Sequence, residues 1–277
     1  MTRPTPALGN IQRPTDNSLK PSPFPDIIRF IALMAVLAWL FSLGIERLGY
    51  NWQWYQVPKY LYIFSDQGFQ AGPLLEGLKI TLMISGISLL FALVIGIITA
   101  FLRLSHAPVA RLLARLYLET TRNTPLLIQI FFIYFVLGPV LGLQRFPSAI
   151  LALSLFEGAY VSEIIRSGIL SISSGQKEAS FSLGLNNSLT YRLIILPQAI
   201  RNTLPPLTNQ AISLIKDSAL VSTIAIYDLT MQAQMIIAET FLTFEIWFTI
   251  ALMYLLITIT LSCIVSIMEH RLHSAGQ

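Results

Sequence analysis

Residues 80–102 read ITLMISGISLLFALVIGIITAFL, a run without one charged side chain. That is what a bilayer crossing demands, since about 20 apolar residues are needed to span the hydrocarbon as a helix. Outward from it, similar runs occupy 27–45, 123–144, 148–170, 204–226 and 246–268. The pattern predicts an all-α integral membrane protein with six transmembrane helices. Composition agrees: 54% of the 277 residues are hydrophobic and 12% are charged, where about a quarter are charged in soluble domains. Mean hydropathy is +0.66. No polar stretch is long enough to fold as a soluble domain.

Lysine and arginine set the orientation, because they collect on the cytoplasmic side. With the N-terminus inside, thirteen fall in inner segments and four (Arg47, Lys59, Lys79, Arg145) in outer ones, leaving Lys216 within a span. Both termini are therefore expected in the cytoplasm. The formal charge of +4 reads as this orientation signal and not as a nucleic-acid footprint. The proline-rich leader, 1–26, is expected to be a disordered cytoplasmic tail, and the run after it a retained anchor. That run ends in Ile45-Glu46-Arg47 without a small-residue cleavage site. Residues 46–73 form an external segment whose Tyr50, Trp52, Trp54, Tyr55, Tyr60 and Tyr62 suit an interface. Residues 271–277 are a cytoplasmic tail. Cys263 is alone in an apolar run, and His106, His270 and His273 form no ligand spacing, so neither a disulfide framework nor a metal site is expected.

Two inner loops remain. In 103–122, Leu112, Leu113, Leu116 and Tyr117 share a helical face against Arg111 and Arg115, as in a helix lying along the membrane. In 171–203 the stretch 176–201, QKEASFSLGLNNSLTYRLIILPQAIR, reads as two short helices at a turn. Residues 177–183 are helix-compatible, and Gly184 can take positive φ and end them. Asn186, Asn187 and Ser188 offer caps for the second helix. Pro197 marks its end or a kink before the next span.

The loop resembles the E-A-A-x3-G-x9-I-x-L-P motif of permeases in ATP-binding-cassette importers, carried by Glu178, Ala179, Gly184, Ile194, Leu196 and Pro197, with Ser180 where a second alanine is usual. Three further segments are similar to those of polar amino-acid permeases: 122–129 (RNTPLLIQ), 158–168 (GAYVSEIIRSG) and 216–222 (KDSALVS). The resemblance covers about 74–270. It implies a five-helix permease core plus one N-terminal helix, in the plasma or inner membrane of a prokaryote, importing a polar or charged amino acid. It also implies the partners: two copies of a cytoplasmic ATPase, a second permease subunit of the same or a paralogous kind, and an extracytoplasmic solute-binding protein. Glu178, Ala179, Ser180, Gly184, Ile194, Leu196 and Pro197 are then the coupling residues. This chain has no GxxxxGK[ST] loop, so ATP-Mg belongs to the partner and the chain is not itself an enzyme.

Charges inside the membrane give the second functional expectation. Each costs at least ~2.5 kcal/mol at the bilayer centre, so each needs a partner or water. Glu157, Glu163, Lys216 and Asp217 interrupt apolar runs, and Gln210, Ser213 and Asp217 stack on one face. Two readings stand: Glu163 or Asp217 pairs with Lys216 or Arg166 to lock helix packing, or part of the set lines the path of a zwitterionic substrate. Tyr160 and Gln129 join that path set. Glu157 is the better candidate for substrate contact, because the resemblance implies a small or polar residue there. An ion-gradient-driven secondary transporter is the alternative function, though no inverted repeat is visible.

Overall fold

The computed structural model describes residues 24–65 and 68–274. The leader up to residue 23 and residues 275–277, with the tail readings that fall on them, lie outside the described residues. Contacts divide the chain between Trp52 and Gln53. In the first unit, α1 (Phe24–Leu48) takes up the first apolar run. Its stretch Ile27–Gly44 buries none of its described side chains, which leaves an apolar surface suited to lipid.

The second unit opens with a short 3₁₀ turn and helix α2 (Pro58–Leu61), followed by an antiparallel hairpin of β1 (Tyr62–Ser65) and β2 (Gly68–Ala71), with Tyr62 opposite Ala71. The sequence predicted only an aromatic interfacial segment here; strands of four residues are too short for alternation to show. Gly72 closes the unit. A Cβ there would stand 2.5 Å from the Tyr60 carbonyl oxygen, so only glycine lets the chain double back this tightly.

The central pair is α3 (Pro73–Leu104) and α7 (Arg145–Leu170), the second and fourth expected spans. The buried face of α3 carries Ser85, Ser88, Ala92, Gly96 and Thr99 at spacings of three and four. Small residues let backbones approach where lipid supplies no hydrophobic drive. A Cβ on Gly96 would run into the Val161 side chain, and one on Gly158 would lie 2.8 Å from Ile95. The Ser154 hydroxyl reaches the Ser88 carbonyl oxygen across the seam at 3.3 Å. On its other face α3 exposes Leu90, Phe91, Val94 and Ile98, an inside-out pattern for water and a fitting one for a bilayer.

The third span departs from expectation. Helix α4 (Pro108–Arg122) does form, but the run after it is broken into α5 (Leu126–Phe131), a π turn at Phe132–Leu137 and α6 (Gly138–Leu141). The two parts meet at 108°. Thr124 is not an N-cap, since its hydroxyl donates back to the Thr120 carbonyl at 2.8 Å, and Pro125 occupies the cap position of α5. On α4 the buried face is Ala114, Leu118 and Thr121, and Tyr117 turns inward to donate to the Leu155 carbonyl at 2.5 Å. Leu112, Leu113 and Leu116 stay exposed.

The fifth span also differs. Helix α8 (Ser174–Ser182) leads to α9 (Asn187–Thr190), a π turn at Tyr191–Ile195, α10 (Leu196–Asp217) and a 3₁₀ stretch at Ser218–Ile224. Asn187–Ile224 is thus one helical run, and Pro197 sits in the first turn of α10 instead of breaking it. Its missing N–H falls just after the π turn at Tyr191–Ile195, where the ladder is already irregular. The expected loop between spans five and six is mostly helix: α11 (Leu229–Thr240) is N-capped by Asp228, which accepts from the Met231 amide at 2.9 Å. Asp228 and Glu245, at either end of that expected loop, are buried. The last helix is α12 (Thr243–Ser274).

Among the described residues, four helices are long and apolar enough to cross a membrane, or six if each bent pair is one span. One core joins Ile84, Ile130, Leu153, Leu214 and Val221; a second joins Leu74, Leu229, Ala233, Leu242 and Ile246.

Candidate functional site

The elbow at 174–195 is built by local chemistry. Helix α8 ends where Gly184 adopts φ +78°. The Gly184 amide donates to the Phe181 carbonyl at 2.9 Å and the Leu185 amide to the Ser180 carbonyl at 3.1 Å. This crossed pair is a Schellman cap, which satisfies the last carbonyls of the helix and reverses the chain. The Asn186 side chain then accepts from the Leu189 amide at 2.9 Å and starts α9. Glu178, Ala179 and Gly184 are exposed, as are Leu196 and Pro197; Ile194 is half-buried. Ser180 is fully buried.

Deeper in the bundle, Glu157 lies midway along α7 and is wholly buried. Its Oε2 accepts from the Gln210 amide nitrogen at 2.6 Å, and its Oε1 has no hydrogen-bond partner. The Asp217 carboxyl approaches it from the next turns of the same face of α10. Ser213, between them in sequence, is half-buried. The structure therefore brings Glu157, Gln210 and Asp217 together across α7 and α10, though they are far apart in sequence.

Lys216 does not join them. It is exposed, and among the described residues it forms no ion pair within 4 Å. Neighbouring residues on a helix point about 100° apart, so once Asp217 faces Glu157, Lys216 must turn away. Of the pairings expected for Glu163, the one with Lys216 is not formed and the one with Arg166 is. Glu163 takes Arg103 from the end of α3 and Arg166 one turn along α7, the latter at 2.5 Å. This ion cluster staples α3 to α7 and fits the packing-lock reading. Tyr160 packs on Phe156 at 5.1 Å between centroids and lies under the Arg122 guanidinium at 5.8 Å. Gln129 is committed to the bend: its amide nitrogen donates to the carbonyl oxygens of Thr121 and Thr124 and reaches the Thr124 hydroxyl. That bonding holds α4 and α5 at their angle.

Sequence reasoning did not single out Arg103 or Thr190. Arg103 was placed in an inner loop, yet it ends α3 at the level where antiparallel α7 carries Glu163. Thr190 gave no signal of its own.

The chain matches the family described as binding-protein-dependent transport system inner membrane component over residues 92–274. It is 42% identical over 202 residues to the glutamine transport system permease protein GlnP of Escherichia coli (strain K12), covering 72% of this chain and 92% of that protein. It is 39% identical over 203 residues to the L-cystine transport system permease protein TcyB of Bacillus subtilis (strain 168), covering 72% and 87%. Among solved structures, an amino acid ABC transporter crystallised with histidines superposes with a TM-score of 0.69 at 37% identity, covering 72% of this chain and 94% of that one.

Proposed function

The chain belongs to the family of binding-protein-dependent transport system inner membrane components, and from that membership we propose that it is the permease subunit of an ATP-driven importer for a polar or charged amino acid. Its similarity to glutamine and cystine permeases supports the substrate class. The ion-gradient alternative gains nothing from these relatives and is dropped. Two cytoplasmic ATPases, a second permease subunit and an extracytoplasmic binding protein complete the proposed assembly.

One observation carries the reading. The exposed elbow joins, through the Gly184 turn, the helical stretch Asn187–Ile224, which carries Gln210 and Asp217 against Glu157. A partner that seizes α8 through Glu178, Ala179 and the Gly184 turn moves the face that meets Glu157. On this proposal the buried carboxylate, whose Oε1 is unpartnered, receives the ammonium or cationic end of the substrate, a charge that its low-dielectric surroundings otherwise leave uncompensated.

Reconstitution of the chain with its ATPase and binding protein in proteoliposomes tests this. Uptake of a panel of amino acids is expected to need ATP and loaded binding protein and to survive collapse of ion gradients. Uptake that follows an ion gradient and ignores ATP would overturn it.

A further inference from the structure

Ser180 and Thr190 are both completely buried, although each sits on a short helix of the exposed elbow. Their hydroxyl oxygens are 2.8 Å apart. Ser180 Oγ also donates to the Lys177 carbonyl at 2.7 Å. A serine hydroxyl has a single proton; with that proton on the carbonyl, Thr190 is the donor in the pair. The main chain of Ser180 is used as well, its carbonyl accepting from Leu185 in the turn. One residue thus holds the end of α8, the reversal after it, and the last residue of α9. Outside this buried pair, the Lys177 ammonium lies between the rings of Phe181 and Tyr191, 5.9 and 5.7 Å from their centroids, and spans the same two elements.

From this we infer that the Ser180–Thr190 hydroxyl pair is the latch that makes α8 and the helical run from Asn187 move as one body, with Thr190 acting as a positioning residue for coupling. The inference deepens the proposed coupling role of the elbow and rests on it. Among the described residues, the polar ties left across the elbow without the latch are the turn itself and a surface cation–π contact. Force applied at α8 would bend the elbow before it moved α10. The pair also explains how serine is accommodated where the resembling motif has alanine: a buried hydroxyl must be bonded or it destabilises the fold, and Thr190 supplies the bond.

The test uses the full reconstituted importer. Thr190→Val keeps volume and removes the donor; Ser180→Ala removes the acceptor; the double variant leaves two apolar groups in contact. Thr190→Val is expected to retain the ATPase at wild-type stoichiometry while uptake per ATP hydrolysed falls about tenfold, the factor that corresponds to losing one hydrogen bond of about 1.4 kcal/mol. Thr190→Ser, which restores the donor, is expected to recover coupling. The double variant should be no worse than Thr190→Val alone, because both substitutions remove the same bond. Wild-type uptake per ATP in Thr190→Val would overturn the latch, as would a double variant whose defect is the product of the two singles. Failure of the unaltered chain to bind any ATPase would instead strike the proposed function.

Discussion

Replacing Glu157 by Gln changes charge with almost no change in shape, and the structure fixes how much should follow. The Gln210 amide nitrogen can still donate to the new side-chain oxygen in the place of Oε2, now at 2.6 Å. The introduced NH₂ falls beside the Asp217 carboxyl, which can accept from it, so the exchange costs the fold little. The fold should survive that. A cation held about 4 Å from the carboxylate is favoured by about 4 kcal/mol at an effective dielectric of 20. Desolvation of the substrate and the nearby Asp217 charge offset and share that gain, and a net loss of about 1.4–2.8 kcal/mol corresponds to tenfold to a hundredfold. The assay is ATP-dependent uptake in proteoliposomes, with KM and maximal rate measured separately for lysine, glutamine and glutamate. Lysine should lose most, glutamine less, and glutamate should be unchanged or improved, since the carboxylate that repels it is gone. An unaltered KM, rate and ranking across all three would refute the contact.

Other consequences follow from the same packing. Gly184→Val forces a β-branched residue to φ +78°, a strain of about 1–3 kcal/mol; the chain should still insert but lose ATP-driven uptake, and full uptake would sink the elbow's role. Arg103→Gln leaves Glu163 with Arg166 alone. With side chains only 25% and 30% exposed, the loss is expected near ~1 kcal/mol, between surface and buried pairs. It should appear as a lower melting temperature in detergent, and an unchanged one would remove the staple. Gly96→Leu should drive α3 from Val161 on α7 and cost about 1–3 kcal/mol or more, whereas Gly86→Ala, with nothing within 4 Å of its Cβ, should be silent. Equal folded yields for these two variants would contradict the close-packed seam.

The long spans were legible because one physical requirement, apolar length, writes itself into consecutive residues. α3, α7 and α12 appear where apolar runs predicted them. Bent elements were not legible. The run 123–144 looks continuous in hydropathy, but Pro125 and the Gln129 bonds turn it after α4, and hydropathy carries no information on direction. The helix α11 hid behind Asp228, Glu239 and Glu245, which read as loop charges until Asp228 is seen to cap the helix and Glu245 to accept from the Gln53 amide at 2.7 Å. At the site, residues on one helix were legible as a face: Gln210 and Asp217 do share one. Partners on different helices were not: Arg166, three residues along the same helix, was among the cations expected for Glu163, whereas Arg103 on α3 was overlooked.

That difference between faces and partners bears on how transport and drive are connected. Within one helix, spacing dictates which residues move together; between helices, only packing does. The chain places α9 and its Gln210–Asp217 face on the same helical run, Asn187–Ile224, so backbone hydrogen bonds link their motions, while α8 joins that run through the Gly184 turn and the Ser180–Thr190 pair. From Thr190 to Asp217 that run covers roughly 40 Å at 1.5 Å per residue. Pro197, just after the π turn, and Pro205 and Pro206 near the middle lie inside it and remove ladder donors, which marks two places where a lever of this length should flex. Glu157, by contrast, is on α7, which is fastened to α3 by a seam of small residues and by the Arg103–Glu163–Arg166 cluster. A pull on the elbow therefore displaces Gln210 and Asp217 relative to a carboxylate that stays with the fixed pair, and the bond between Gln210 and Glu157 is the contact that such a displacement breaks first.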